Sequence, residues 1–212
     1  MDTGQTWPGS ADGALRLLSE GNRRWAAGAA SHPHTSVARR VETAQDQSPF
    51  AVVLSCIDSR VSPELIFDCG IGDVFVVRTA AQTLDAIPLG SIRFGPTVLG
   101  TPLVFVLGHQ RCGAVTAAVD ALQRSEAAPG AVQSVVEALR PAYDAARQQP
   151  GDLVDNVVRS HTRLTVESLV ADPVLHELIQ HKKLLVVGGY YSLESGEVHL
   201  ITSPQNESAC SA

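Results

Sequence analysis

Four short runs along the chain are almost wholly apolar: residues 50–54, 73–77, 103–107 and 184–187. Each is rich in Val, Leu and Phe and too short for a helix. None alternates with polar residues, so each reads as a strand covered on both faces, as in a parallel sheet. Helical spacing fills the gaps between them. Residues 11–28 place Leu15, Leu18, Asn22 and Trp25 on one face, with Ser10 as N-cap and Gly28 as stop. Residues 29–36 are small and polar and read as extended, with a short helix at 37–44. Further helices are predicted at 63–69, at 88–99 with Leu89, Ile92 and Val98 inward, and at 113–122. Two more follow the spacing of Val132, Val135, Val136 and Leu139, and of Val154, Val157, Val158, Leu164 and Leu169.

After the last apolar run, Gly188 to Tyr191, then Ser195-Gly196, then residues 198–201 read as a hairpin that adds an antiparallel edge strand. The tail from Pro204 is polar and reads as loose. Strands alternating with helices define an α/β fold. The expected architecture is a mainly parallel sheet of four strands plus one antiparallel edge strand, flanked by helices. Residues 1–212 read as a single domain with an N-terminal helical arm at 1–45.

Charge narrows the function. With 16 Lys and Arg against 22 Asp and Glu, the net charge is −6, and no basic run is longer than a pair. A nucleic-acid binder needs a basic face, so that class is excluded. No apolar stretch approaches the ~18 residues of a membrane helix, and the first ten residues carry no signal-peptide pattern, so a cytoplasmic protein is expected. In such a compartment the four cysteines read as metal ligands, nucleophiles or buried apolar groups rather than disulfides.

The chemistry gathers at two strand ends. The first strand runs into Ser55-Cys56-Ile57-Asp58-Ser59-Arg60, and the third into Gly108-His109-Gln110-Arg111-Cys112-Gly113. Open α/β sheets bind ligands just beyond the carboxyl ends of their strands. Two thiolates and one imidazole suit zinc, and three protein ligands leave a fourth position for water. Asp58 and Arg60 are spaced for a fork-shaped ion pair that would fix the carboxylate beside that position. Cys69 reads as buried and inert, and Cys210 as a free thiol in the tail. The remaining histidines (His32, His34, His161, His176, His181 and His199) lack the strand-end setting of His109.

Cys56-Ile-Asp-Ser-Arg60 followed by His109-x-x-Cys112 resembles the signature of the β-carbonic anhydrases, in the plant-like subgroup. Glu20 to Trp25, Val61 to Asp68, Gly72 to Arg78, Leu103 to Val115 and Leu184 to Tyr191 are similar to further stretches of that family. The resemblance implies one Zn2+ per subunit on Cys56, His109 and Cys112, with Asp58 and Arg60 as the catalytic dyad. It implies reversible hydration of carbon dioxide to bicarbonate and a proton by zinc-bound hydroxide. Relatives that hydrolyse carbonyl sulfide or carbon disulfide, and a silent form with Asp58 as fourth ligand, are its alternatives. It assigns Gln47, Gly113, Phe75 and Ala80 to substrate binding, the last two on an apolar wall. It also implies a homodimer or homotetramer, with the N-terminal arm on a partner subunit and Gln47 reaching the partner's site. The chain departs from the family pattern at Ala80-Ala81-Gln82, where Ala-Gly-Asn or Val-Ala-Asn is usual, and at Arg93-Phe94 in place of Glu-Tyr. Val53 stands where members with a regulatory bicarbonate pocket carry Trp.

Overall fold

The computed structural model describes residues 10–202; the tail expected from Pro204, with Cys210, lies outside them. Five strands form one sheet in the order β2-β1-β3-β4-β5. They are β1 (Ala51–Cys56), β2 (Val74–Thr79), β3 (Leu103–His109), β4 (Leu185–Tyr191) and β5 (Val198–Leu200). The first four run parallel and β5 is antiparallel to β4. Every residue of β1, β3 and β4 is buried, which is why those runs carry no polar alternation. The chain passes from β1 to β2 on one side and to β3 on the other. Next to β1 the strand order therefore reverses, the position at which open α/β sheets bind ligands.

Among the described residues, eight α-helices surround the sheet: α1 (Ala11–Ala26), α2 (Val37–Glu42), α3 (Pro63–Ile66), α4 (Ala86–Phe94), α5 (Gly113–Arg124), α6 (Val132–Ala146), α7 (Leu153–Ala171) and α8 (Pro173–Gln180). Ser10 caps α1 as expected, its side chain accepting from the Gly13 N–H at 3.2 Å. The helix expected at 63–69 stops at Ile66, and the chain turns sharply at Asp68, whose φ is 47°. The one expected at 88–99 gives way at Gly95 to a π-turn over Gly95–Leu99. The wider turn swings Val98 outward, to 61% exposure, while Ile92 stays fully buried. Helix α8 lies outside the elements expected from spacing; it is capped by Asp172, whose carboxylate accepts from the Val174 and Leu175 N–H groups, with Pro173 in the first turn.

The arm's apolar face is covered by its own chain. Leu18 and Ala14 are buried in one cluster with Phe67 and Phe105. Gly21 lies so close to α3 that a Cβ there would sit 1.8 Å from the Phe67 carbonyl oxygen. Asn22 donates to the carbonyls of Ile66 and Gly196 and accepts from the Val198 N–H at 2.8 Å. Arg24 reaches the buried Asp68 at 2.6 Å, and the Trp25 indole donates to the Tyr191 hydroxyl at 3.2 Å. Within the chain, Leu18 thus packs against Phe67 and Phe105, and Trp25 against Tyr191. Burial opposes the charge on Asp68, but the N–H groups of Ser31 and His32 and the Arg24 guanidinium hold it well below the usual carboxylate range. The segment expected to be extended is instead bent at a turn over residues 33–34, with left-handed His32 and His34 bonded to Asp68 and Asp73.

His161 on α7 is buried, and burial pushes its pKa down from 6.5 to about 4. An unfolded chain takes up this proton near pH 6.5, whereas the folded one resists until about 4. Stability therefore falls as pH drops through that window, by on the order of 3 kcal/mol. Urea midpoints measured from pH 7 to 4.5 are expected to fall more steeply for the wild type than for His161→Gln; parallel slopes refute it.

Candidate metal centre and active site

Cys56 is the last residue of β1, His109 the last of β3, and Cys112 the N-cap of α5. β1 and β3 are neighbours with Ser55 level with Leu107, so the two strand ends deliver Cys56 and His109 to the same edge. The turn at Arg111, with φ of 52°, brings Cys112 back beside them. The three donor atoms lie within 4.8 Å of one another and all three residues are buried. The two sulfurs are 3.8 Å apart. His109 Nδ1 donates to the Gln110 carbonyl oxygen at 2.9 Å, which leaves the Nε2 lone pair facing the sulfurs. That Nε2 is buried and lacks a hydrogen-bond partner within the described residues. A buried, unpartnered imidazole nitrogen between two thiols is costly unless a cation takes it up, and this soft donor set suits zinc.

The sulfur pair carries its own polarisation. Cys56 is lowered to about 4, chiefly by accepting from the Cys112 thiol, against the cost of burial. His109 and the backbone N–H groups of Asp58 and Ala81 add to the effect. Cys112 moves upward as the donor of that shared proton, although the N–H groups of Val115 and Ala114 in the first turn of α5 favour its thiolate. Ala81 N–H reaches Cys56 Sγ at 3.3 Å.

Asp58 and Arg60 form the fork anticipated from their spacing. Arg60 Nε donates to Oδ1 at 2.9 Å and Nη2 to Oδ2 at 2.8 Å, and the Arg60 N–H adds a third bond to Oδ1 at 2.9 Å. These bonds hold Asp58 at about 2. Arg60 also donates to the Arg111 carbonyl oxygen at 3.2 Å, tying the two motif loops together. Asp58 is not one of the clustered ligands here: its Oδ2 is 4.0 Å from His109 Nε2.

Of the four substrate-binding residues expected, two lie at the site. Gly113 opens α5 directly after Cys112, exposed and with open space where a Cβ would be. Ala80 begins the short 3-10 turn Ala80–Gln82 that presents Ala81 to Cys56. The other two are not brought to the cluster within one chain. Gln47 is exposed and precedes β1, at the far end of the strand from Cys56. Phe75 is level with Val52, whereas Thr79 is level with Cys56. Four residues separate it from that level, about 13 Å at roughly 3.3 Å each. Instead Phe75 meets the edge of the Phe94 ring, 6.1 Å between centroids, in an apolar groove with Val77 and Ile87.

The other departure, Arg93, lies apart from the Cys–His–Cys cluster and pairs with the buried carboxylate of Asp172. Its reversed charge thus locks α4 to the α7–α8 joint. One contributor beyond the expected site residues is Arg78 of β2, whose Nε donates to the Cys56 carbonyl at 2.8 Å and Nη2 to the Asp58 carbonyl at 2.6 Å. Nothing local in the sequence marks that bracing. Cys69, expected to be buried, is only half-buried; its thiol donates to the Phe67 carbonyl, and burial pushes its pKa up to about 12.

A strand-end cluster of two thiols and an imidazole beside a braced carboxylate is the build of a metal-dependent enzyme centre. The profile of the family described as "Carbonic anhydrase" matches residues 51–198. The chain is 43% identical over 188 residues to carbonic anhydrase 2 of Mycobacterium tuberculosis, covering 88% of this chain and 91% of that one. It is 40% identical over 188 residues to carbonic anhydrase of Mycolicibacterium smegmatis, with the same shares of 88% and 91%. Among solved structures, the Coccomyxa β-carbonic anhydrase in complex with acetazolamide superimposes with a TM-score of 0.68 at 25% identity, over 90% of this chain and 87% of that one. A tetrameric β-carbonic anhydrase of Sordaria macrospora matches in fold, with a TM-score of 0.70 at 21% identity, over 90% of this chain and 98% of that one. This chain belongs to the β-class carbonic anhydrase family, and it is an enzyme of that kind. Among the described residues no helix is long and apolar enough to cross a membrane.

Proposed function

We propose that the chain hydrates carbon dioxide reversibly to bicarbonate and a proton on a zinc ion held by Cys56, His109 and Cys112. The observation that carries this reading is the buried cluster of three donor atoms with Asp58 held off it by Arg60. Zinc, when bound, supplies Lewis acidity that ionises water near neutral pH, and two thiolates soften that acidity relative to an all-imidazole site. Asp58, pinned by Arg60, accepts a hydrogen bond from the attacking water and aims its lone pair. The free N–H of Gly113, in the first turn of α5, offers a hydrogen bond to a bicarbonate oxygen. Ala80 contributes apolar wall.

Gln47 and Phe75 would serve a neighbouring subunit. β2 is the sheet's edge strand, flanked by Ile87 at 80% exposure and Phe94 at 48%. Two copies pairing antiparallel through β2 would bring Phe75 of each beside the Thr79 end of the other. A homodimer, or a tetramer built from it, completes the apolar wall in this way.

Purified protein is expected to hydrate carbon dioxide in proportion to its zinc content, with activity rising toward alkaline pH because of the two thiolates. Zinc-loaded protein inactive at alkaline pH would refute the reading, and a rate flat from about pH 6 to 9 would refute the thiolate effect.

A further inference from the structure

The turn after β2 is strained. Ala81 sits at φ 54° and ψ 30°, and Gln82 follows at φ 49°. Two successive L-residues in the left-handed region are unfavourable on their own and persist only where surroundings hold them. The conformation has one visible product, the Ala81 N–H pointed at Cys56 Sγ at 3.3 Å.

Gln82 is the side chain of this turn that enters the interior, where it is 1% exposed. Its Nε2 donates to Thr162 Oγ1 at 3.3 Å, and that hydroxyl donates to the Val158 carbonyl at 2.9 Å within α7. The backbone of Gln82 hydrogen-bonds the buried His161 ring. Gly108, next to His109, leaves room for this contact: a Cβ there would lie 2.4 Å from Thr162 Oγ1 and 3.3 Å from Gln82 Nε2. Gln82 Oε1 meanwhile has no protein partner. Burying a half-satisfied amide is dearer than burying a leucine of similar size, so core packing alone does not account for a glutamine here.

We infer that Gln82 is a positioning residue: anchored to Thr162, it holds the left-handed turn that gives Cys56 its N–H···S hydrogen bond, and so tunes the thiolate that binds the metal. The inference rests on the zinc site proposed above. A hydrogen bond to a ligating sulfur withdraws charge from it and fixes its lone pairs, and outer partners of this kind are worth about 10- to 100-fold in metal affinity. The usual Asn of the family takes the left-handed conformation more readily. In this chain the anchor on α7 supplies the hold.

The test uses the whole protein with cobalt(II) in place of zinc. In Gln82→Ala the thiolate-to-cobalt charge-transfer band is expected to move to lower energy, and zinc affinity by chelator competition to fall about 10-fold. Thr162→Val keeps the shape of the anchor and removes its oxygen. It is expected to shift the band in the same direction by less, and it stands in should Gln82→Ala not fold. A band and an affinity unchanged in these variants would overturn the role of Gln82 while leaving the metal site intact. Wild-type protein that takes up neither cobalt nor zinc would overturn the metal site, and this role with it.

Discussion

Cys56→Ser is expected to empty the metal site and to lower carbon dioxide hydration by at least roughly a thousandfold, while the protein stays folded. The first half follows from the donor set. Three ligand atoms gather within 4.8 Å, and losing one thiolate leaves two donors, too few to hold zinc against solvent. The Lewis acidity lost with the ion is worth several kcal/mol of barrier, and about 4 kcal/mol is a thousandfold in rate. The second half follows from the packing. Two core clusters, one around Phe67 and Phe105 and another around Leu54, Val106 and Val186, contain none of the ligands. Only the third, beneath α5 to α7, includes Cys56 and Cys112. Zinc content by mass spectrometry of the native protein and far-UV circular dichroism decide the matter. A variant that keeps one zinc per chain would show that Cys56 is not a ligand, and one that unfolds would show that the metal is a staple.

Breaking the dyad should separate chemistry from metal binding. Asp58→Asn keeps the shape and removes the charge that Arg60 grips from two sides. Arg60→Ala instead frees Asp58, whose Oδ2 already lies 4.0 Å from His109 Nε2, to swing onto the metal and block it. Both variants are expected to retain zinc and to lose ~10²–10⁴-fold in kcat/KM, the usual worth of one positioned acid–base group. Because the two residues act as a unit, the double variant should be little worse than either single one. An Arg60→Ala enzyme as active as wild type would remove the dyad from the mechanism.

Much of this centre is legible along the chain because its ligands follow buried strands directly. The runs ending at Leu54 and Leu107 mark β1 and β3, and Cys56 and His109 lie just past them. Parallel neighbours must then share an edge. What stays hidden depends on contacts made far away in sequence. Ala81 gives no sign that its N–H serves a sulfur, since its φ is set by an anchor on α7. Val98 reads inward on a regular helix, and the π-turn at Pro96 rotates it out. Phe75 and Gln47 belong to the right motifs, yet strand geometry carries both to the end away from Cys56. Leu18 and Trp25 announce an apolar face without naming its cover, which turns out to be the same chain's Phe67, Phe105 and Tyr191.

Arg78 has a mechanical consequence. It belongs to β2, at the rim of the sheet, yet its guanidinium clasps the carbonyls of Cys56 and Asp58. Motion along that rim is therefore transmitted by one side chain to Cys56 and to the carboxylate-bearing residue beside it. Clamping β2 against a neighbouring strand would damp the jitter of the catalytic loop without adding a contact to it. A lone subunit, with its rim unclamped, would have the same atoms in place but a noisier aim.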